Sequence, residues 1–294
     1  MRSVVTPRQL AEAIGVSESS VKRWVDHGDI EAARTAGGHR RISIQEAGRY
    51  LRERSIPLVR PDVLGLADLA AYGGGDSEAD DPAACFFDYL RRGAEPEARG
   101  LILSQYLEGR SVAEIVDGPL RAALARIGEL WTREPSGIFW EHRATQIAMQ
   151  ALARLRLLLK VPADAPVAVG GAPAGDRYVL PSMAVGAVLE GEGVRAVNLG
   201  AETPTATLAL GVREHDAQLA WLSVSFVATP DRLREDTLGL LSVLAERGTP
   251  LVVGGAQSRK LRLPKSDLLY VGGSMAELEA LVKGMRLAPR AASA

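Results

Sequence analysis

Five apolar segments that alternate with helical patterns place the strongest constraint on the fold of this chain. The first, residues 167–169, precedes a glycine-rich turn and then a helix that begins near Val179. Similar segments follow at residues 194–199, 219–226, 250–256 and 267–271. Strands and helices that alternate at this spacing form a parallel sheet covered by helices on both faces. We therefore predict an α/β domain with a five-stranded parallel sheet over residues 161–290.

The glycine-rich turn after the first predicted strand is the candidate ligand loop. Open α/β sheets bind their ligands at the carboxyl ends of the strands, and this turn lies at such an end. It contains one acidic, one basic and one aromatic residue in succession: Asp176, Arg177 and Tyr178. We predict that all three contact a ligand.

Composition limits the class of protein. The chain has 294 residues, of which 47% are hydrophobic and 24% charged, as in globular proteins of two or three domains. We predict a cytoplasmic protein without a membrane partner, because no apolar run approaches the roughly 20 residues of a membrane span and no signal peptide is evident. The single Cys85 excludes an internal disulfide and a multi-cysteine zinc site. We predict no metal centre.

The first 56 residues have the pattern of a DNA-binding domain. Residues 1–60 hold 11 Lys and Arg against 7 Asp and Glu, whereas the rest of the chain holds 24 against 29. Thr6-Pro7 begins one predicted helix, and after a Gly15 turn a second helix begins at Glu18, which is the helix-turn-helix pattern. Outward residues of the second helix are predicted to reach bases and phosphates: Ser19, Ser20, Lys22 and Arg23.

A basic hairpin follows, and it is specific enough to suggest a family. Residues 34–42 read Arg-Thr-Ala-Gly-Gly-His-Arg-Arg-Ile, with two glycines at the tip. The head closely resembles the winged-helix domain of the MerR superfamily. Basic hairpin tips suit phosphate contacts beside the groove. We predict DNA contacts from Arg34, Thr35, His39, Arg40 and Arg41, and a double-stranded operator as the partner.

The middle of the chain is predicted to be helical. Residues 57–80 contain prolines, glycines and acidic residues, which indicate a flexible linker. Residues 81–160 show apolar residues at helical spacing, and four helices fit, at 82–92, 95–108, 111–131 and 138–160. We predict a four-helix bundle.

Three residues of the bundle suggest a ligand. Trp131 is followed nine residues later by Glu141-His142. This set resembles the helical cap of cobalamin-binding regulators of the CarH/LitR type, in which it covers the upper face of adenosylcobalamin. The resemblance implies a ligand-facing role for Trp131, Glu141 and His142. One position departs from it: a cobalt-binding His often follows the Trp in that family, and Thr132 stands there here.

The α/β segment resembles the Rossmann-like (flavodoxin-like) cobalamin-binding domain. Ser223, Ser225 and the pair Gly254-Gly255 match its small residues, which in cobalamin proteins leave a slot for the detached nucleotide tail. The family's Asp-x-His-x-x-Gly turn has changed, because Asp176 is followed by Tyr178 and Pro181 at the other two positions. A phenol must lose a proton with a pKa near 10 before it binds cobalt well, whereas imidazole is a good neutral ligand. Both cobalt-side imidazoles are therefore missing.

Three hypotheses remain for the ligand, which we predict to be a tetrapyrrole bound between the bundle and the α/β domain. We favour a linear bilin such as biliverdin over cobalamin, with its propionates at Arg177 and its pyrroles stacked on Trp131, Trp140 and Tyr178. Attachment through Cys85 is not expected. The alternatives are cobalamin without a protein ligand to cobalt, and a ligand-independent repressor controlled by oligomerisation or by an antirepressor protein.

These observations together predict a MerR-type transcriptional regulator, acting as a repressor, and not an enzyme. A light-sensing role is one form of this hypothesis. A dimer or tetramer would give two heads on a repeated or palindromic operator the affinity that one small head lacks.

Overall fold

The computed structural model describes residues 3–73, 81–131, 136–285 and 287, with Trp131 described in its backbone only. These residues form two compact units, which meet in the sequence between Lys160 and Val161. The first unit is mainly helical and the second is α/β. No helix in the described part of the chain combines the length and apolar character that a bilayer crossing requires.

The head of the first unit is a small three-helix domain with a three-stranded antiparallel sheet in the order β1-β3-β2. Its elements are β1 (Val4–Val5), α1 (Pro7–Ile14), α2 (Glu18–His27), β2 (Ala33–Arg34), β3 (Arg40–Ser43) and α3 (Ile44–Glu53). Thr6 and Gln9 form a capping box that begins α1. Gly15, at φ 72°, ends α1 and permits the tight turn into α2. The predicted winged helix-turn-helix fold is confirmed.

Most of the segment predicted to be a flexible linker is ordered and packed, so that prediction was wrong for residues 57–73. A 3₁₀ helix spans Pro61–Leu64 and α4 spans Ala67–Tyr72, while residues 74–80 lie outside the described residues. The backbone N–H groups of Val59 and Arg60 both donate to the carbonyl of Ala13. Leu64 and Leu66 are fully buried. Pro61 begins the 3₁₀ helix instead of keeping the chain extended.

A buried acidic residue fixes α4 to the bundle. Asp68 accepts hydrogen bonds from Arg99 (Nε to Oδ1, 3.1 Å) and from Arg154 (Nε to Oδ2, 2.8 Å). Gly100 lies against the backbone of Asp68 so closely that a Cβ atom there would overlap its carbonyl oxygen. These partners are 31 and 86 residues away in sequence, so the local pattern of residues 57–80 did not reveal them.

The rest of the first unit is a four-helix bundle, as predicted. Its helices are α5 (Pro82–Arg92), α6 (Glu95–Leu107), α7 (Val112–Ile115) continuing into α8 (Arg121–Trp131), and α9 (Gly137–Arg156). The predicted single helix at 111–131 is interrupted by a π-helical segment, Val116–Leu120. Pro119 lacks the N–H for a helical hydrogen bond, and Gly118 has non-helical backbone angles, which explains the break.

An ion cluster joins the DNA-binding head to the end of the bundle. Glu46 of α3 is buried and accepts hydrogen bonds from Arg49, from the backbone N–H of Glu31 (2.9 Å) and from Lys160 Nζ (2.8 Å). Burial alone would raise the pKa of Glu46, but these donors lower it from 4.5 to about 2. Nearby, Leu158 packs on Gly48. The head is therefore held by the bundle through buried polar and apolar contacts.

The second unit is a doubly wound parallel sheet in the order β5-β4-β6-β7-β8, which confirms the predicted flavodoxin-like, Rossmann-like fold. Its strands are β4 (Val167–Gly171), β5 (Arg195–Asn198), β6 (Leu219–Ser223), β7 (Leu251–Gly254) and β8 (Leu269–Val271). Its helices are α10 (Val179–Gly191), α11 (Thr205–Glu214), α12 (Pro230–Ala245) and α13 (Met275–Gly284). One apolar core joins α11 and α12 to the sheet through Val169, Leu222 and Val253.

The third strand of this sheet is shorter than predicted. The expected strand covered 219–226, but β6 ends at Ser223. The N–H of Val224 still donates to the carbonyl of Gly254 in β7 (2.7 Å), but the next two donors turn away from the ladder, because the N–H groups of Ser225 and Phe226 donate to the Asp176 carboxylate. A side chain from another loop therefore ends the strand.

Candidate functional site

The second helix of the head presents the predicted DNA-contacting residues on its outer face. Val21 is buried, whereas Ser19, Lys22 and Arg23 are exposed. Ser17 begins the helix by accepting a hydrogen bond from the N–H of Ser20, and its hydroxyl also lies 2.8 Å from that of Ser19. These hydroxyls cluster at the N-terminus of α2, where backbone N–H groups and the helix dipole favour a phosphate.

The hairpin β2–β3 has the geometry of a wing. Arg34 and Arg40 face each other across the two strands. The tip is closed by a hydrogen bond from the N–H of Gly38 to the carbonyl of Thr35 (2.8 Å), with Gly38 at φ 78°. The Thr35 hydroxyl accepts from the N–H of His39 (3.2 Å). Thr35 therefore shapes the tip, while Arg34 and His39 are exposed beside it.

Arg40 differs from the other predicted DNA contacts. Its guanidinium pairs with Asp26 at the end of α2, and it is only partly exposed. This ion pair ties the wing to the recognition helix. Arg41 is also partly exposed and donates to the carbonyl of Arg40 (3.3 Å). Arg40 therefore positions the wing in the unbound protein, a role that the sequence pattern did not indicate.

In the α/β unit, the candidate ligand edge lies where the strand order reverses. This switch point is between β4 and β6, and open α/β sheets bind ligands in the crevice there. Asp176, from the turn after β4, bridges the crevice. Its fully buried carboxylate accepts hydrogen bonds from the N–H groups of Tyr178 (3.0 Å), Ser225 (2.6 Å) and Phe226 (2.9 Å). The carboxylate of Asp176 holds the two loops together, and the ligand contact expected for this residue stays a prediction.

Two exposed aromatic rings lie on these two loops. Tyr178 is 56% exposed and Phe226 is 48% exposed. Both are anchored through their backbone N–H groups to Asp176, so the rings project from a fixed base. Phe226 was not among the predicted site residues, because its position was taken as the end of a buried strand.

Arg177 is also at this edge, and its partner was not predicted. Its side chain is 89% exposed, and Nε lies 3.0 Å from Oε1 of Glu202. Glu202 also accepts from the N–H of Gly175 (2.7 Å), and these two donors lower its pKa. Glu202 adopts the left-handed backbone conformation at φ 54°. Arg177 is thus the exposed cation of the edge, held by one carboxylate.

The small residues predicted to form a nucleotide slot are packed by the protein itself. Ser223 is buried at the end of β6, beside Gly254 in the neighbouring strand. A Cβ atom at Gly255 would overlap the backbone of Val224, so close approach of the chain requires this glycine. Ser225 is partly buried, and its N–H donates a hydrogen bond to the carboxylate of Asp176. Of these residues, Gly255 has a steric reason for its size, whereas a Cβ atom at Gly254 would make only an ordinary van der Waals contact with the Gly272 carbonyl.

The same sheet face carries a buried indole. Trp221 lies on β6 two residues before Ser223, and it is 1% exposed. Its Nε1 donates to Ser182 Oγ on α10 (3.1 Å), and that hydroxyl donates to Asn198 Oδ1 (2.9 Å). Gly170 of β4 faces the indole, and a Cβ atom there would overlap the ring. The indole therefore fills the space between Gly170 of β4 and Ser182 of α10.

The start of α9 carries the predicted cap residues of the bundle. Glu141 and His142 lie 3.5 Å apart between Oε2 and Nε2, and the His142 side chain is 76% exposed. Trp140 is partly buried. Ile138 and Phe139 are exposed apolar residues on the preceding turn. The side chain of Trp131 and the whole of Thr132 lie outside the described residues.

Cys85 lies in α5, is partly buried and forms no disulfide. Among the described residues, no three His, Cys, Asp or Glu side chains are grouped as metal ligands.

Comparisons with known proteins agree with two parts of this description. Residues 4–55 match the family described as "Helix-turn-helix domain". Residues 85–156, which form most of the bundle, match the family described as "B12 binding domain". Among curated proteins, none matches this chain.

Several solved structures are similar to the chain. One is a monomethylamine corrinoid protein from Methanosarcina barkeri, at 18% identity and a TM-score of 0.48, with 68% of this chain and 96% of that one covered. A methanol:cobalamin methyltransferase complex from the same organism has 15% identity and a TM-score of 0.34, covering 70% and 81%. A cobalamin-binding protein from Desulfitobacterium hafniense has 18% identity and a TM-score of 0.33, covering 69% and 95%.

The chain therefore consists of three parts in sequence order: the head, the bundle and the α/β unit. A helix-turn-helix domain precedes a bundle of the B12-binding-domain type, and a Rossmann-like α/β unit follows. The chain has a helix-turn-helix plus cobalamin-binding-domain architecture.

Proposed function

We propose that this chain is a ligand-responsive, DNA-binding transcriptional regulator of the MerR type, acting as a repressor under the control of a tetrapyrrole. One observation carries the proposal: the chain combines an exposed basic wing with a switch-point edge, the candidate ligand edge between β4 and β6. At this edge, Tyr178 stands where the resembling family has a cobalt ligand. The first feature supports DNA as a partner. The second supports a tetrapyrrole held without a protein ligand to a metal.

The DNA-binding half of the proposal rests on charge and shape. Lys22 and Arg23 on α2 and Arg34 on the wing are exposed. The ion pair of Arg40 with Asp26 fixes the wing relative to α2 before DNA is bound. Preorganised basic groups of this kind bind phosphates with little loss of conformational entropy.

Replacing Arg34 by Ala is expected to weaken binding to a random-sequence duplex of about 30 base pairs about tenfold, and to reduce the slope of log K against log salt concentration by about 0.9. The physical reason is the loss of one phosphate contact with its released counterion. Fluorescence anisotropy at several salt concentrations measures both quantities.

Arg54→Ala is the matched control for that measurement. It removes the same charge from the same domain, but Arg54 pairs with Asp29 and stacks on Tyr50 at the end of α3. We expect its salt slope to stay at the wild-type value. Equal losses in the two variants would contradict the assignment of the wing as a DNA contact.

The ligand half of the proposal rests on the residues of the switch-point edge. Tyr178 and Phe226 offer exposed rings for stacking on a flat conjugated ligand, and Arg177 offers a cation for propionate groups. By the family resemblance, Trp131, Trp140, Glu141 and His142 would belong to the same site. We propose a linear bilin such as biliverdin, bound without a covalent bond to Cys85, as the preferred ligand.

Absorption spectra of the purified protein test this choice. We expect protein produced with biliverdin to carry a red or far-red band, and this pigment to separate from the chain in denaturant. A corrin spectrum after exposure to cobalamin, with no bilin band, would favour the alternative of cobalamin bound without a protein ligand to cobalt. Colourless protein in both cases would refute tetrapyrrole control and leave a repressor regulated by oligomerisation or by an antirepressor protein.

The proposed repressor need not respond to light, so a light-sensing role is tested separately. If the pigmented protein is a photoreceptor, illumination should change the anisotropy of bound DNA or the oligomeric mass in size-exclusion chromatography with light scattering. The mechanism is a shift of population between two states of different DNA affinity or oligomeric state. Identical DNA affinity and mass in the dark, in the light, and without pigment would argue against ligand control.

A further inference from the structure

The indole of Trp221 occupies the sheet face on which a tail-binding corrinoid domain needs space. Trp221 lies on β6, one of the two strands that border the switch point, and pairs in register with Gly170 on the other. Ser223 and Gly254, two of the small residues that mark the tail slot by resemblance, continue the same face toward the carboxyl edge. The markers and the indole therefore belong to one surface of the sheet.

The indole is fixed by the backbone of β4 on one side and by a hydrogen bond to α10 on the other. The absence of a side chain at Gly170 lets the ring lie directly on the backbone of β4. On the α10 side of the sheet, Ser182 Oγ accepts a hydrogen bond from the indole N–H and donates one to Asn198 Oδ1. Asn198 Oδ1 also accepts the N–H of Gly200 in the turn after β5 (3.0 Å). This hydrogen-bonded chain holds the ring in one position, and the ring is shielded from water.

We infer that Trp221 is a specificity-determining residue that closes the tail slot, so that the α/β unit selects tetrapyrroles without an inserted nucleotide. Indole is a two-ring aromatic of about the size of the benzimidazole base that ends the cobalamin tail. The chain therefore fills with its own side chain the volume that such a base would need. The inference rests on the proposed function, since it specifies which tetrapyrroles the same site accepts.

The physical reason for selectivity is the cost of opening the packed face. A tail could enter only if the indole left its contacts with Gly170 and its hydrogen bond to Ser182. Protein interiors are packed too densely to admit a second aromatic ring beside the first. Biliverdin and cobinamide, the corrin without its nucleotide, need no such opening, because neither carries a tail.

A comparison of cobalamin with cobinamide on the wild-type chain tests the inference directly. Titrations followed by absorption, or by equilibrium dialysis, are expected to give affinities for the two corrinoids within about threefold of each other. A preference for cobalamin of about tenfold or more would overturn the inference, because the tail would then contribute binding free energy. That result would leave tetrapyrrole control intact.

Trp221→Gly and Trp221→Phe form the matched pair of variants. The glycine variant opens the face, and we expect it to gain at least about tenfold in affinity for cobalamin while its affinity for cobinamide stays within about threefold. The phenylalanine variant keeps a ring on Gly170 but loses the hydrogen bond to Ser182, and we expect no gain. Far-ultraviolet circular dichroism verifies that each variant is folded.

The outcomes separate this inference from the proposed function. If the wild-type chain binds neither corrinoid nor biliverdin, tetrapyrrole control fails, but a gain of cobalamin binding in Trp221→Gly alone would still support the closed slot. If Trp221→Gly folds but its affinity for cobalamin does not exceed that of the wild type, the inference is overturned, whether or not the chain binds biliverdin. If Trp221→Gly does not fold, the wild-type comparison of the two corrinoids decides.

Discussion

Replacing Asp176 by Ala is expected to lower the free energy of unfolding of the α/β unit by about 3 kcal/mol or more. The buried carboxylate is the shared acceptor of three backbone N–H groups, on Tyr178, Ser225 and Phe226. Its removal leaves three donors without this partner and separates the turn after β4 from the loop after β6. Urea denaturation of the full chain, followed by tryptophan fluorescence and far-ultraviolet circular dichroism, measures this loss; Trp221 is the one tryptophan of the α/β unit, and the other three lie in the first unit.

Asp267→Ala is the matched control for this prediction. Asp267 is an exposed aspartate of the same unit, and we expect its replacement to change stability by less than about 0.5 kcal/mol. The Asp176 variant should also lose any ligand-induced absorption change, because both exposed rings of the edge depend on the bridge. A stable Asp176→Ala protein with wild-type ligand binding would show that the two loops are held by other contacts.

Replacing Glu46 by Gln is expected to destabilise the helical unit by about 3 kcal/mol at neutral pH, and this loss should vanish in acid. The pKa of Glu46 is about 2 in the folded chain, against an ordinary value of 4.5. Because the folded value is the lower one, the stabilisation is complete above about pH 4.5 and is lost as the pH falls toward 2. Thermal unfolding at pH 7, 5 and 3 in wild type and variant measures the convergence.

Glu53→Gln is the control on the same helix. Glu53 also pairs with Arg49, but its side chain is 55% exposed, and an exposed ion pair contributes less than about 1 kcal/mol. A loss of stability in Glu46→Gln that equals that of Glu53→Gln, or that does not change between pH 7 and 3, would refute the ion cluster as the main bond between head and bundle.

Local patterns in the sequence were sufficient for most of the helices and strands and for the parallel sheet. Thr6-Pro7 and Gly15 begin and end α1 as their cap chemistry requires, and strand–helix alternation predicts the parallel sheet. The hairpin with Gly37-Gly38 at its tip was also found from local residues. The caps and the hairpin depend on residues that lie close together in sequence, and the parallel sheet follows from the order of its elements.

Long-range pairings could not be predicted in this way. The segment around Asp68 contains the glycines and prolines of a linker, but its carboxylate is neutralised by two arginines that are far away in sequence. Asp176 looked like a ligand contact, since nothing in its own turn shows that its carboxylate is directed at the loop after β6. Trp221 looked like an ordinary core residue of a buried strand, because its relation to Gly170 exists only across the sheet.

The Glu46 cluster has a mechanical consequence. Lys160 follows α9 closely in sequence, and α9, with 20 residues, is a rod of about 30 Å. Lys160 forms ion pairs with Glu46 and Glu31, so the C-terminal end of the bundle is fixed to the head. If α9 tilted by about 5° about its start, near Glu141-His142, its far end would move by about 2.6 Å over a length of about 30 Å. A movement of that size is comparable to the length of a hydrogen bond, so we expect a rearrangement at the start of α9 to reposition the head.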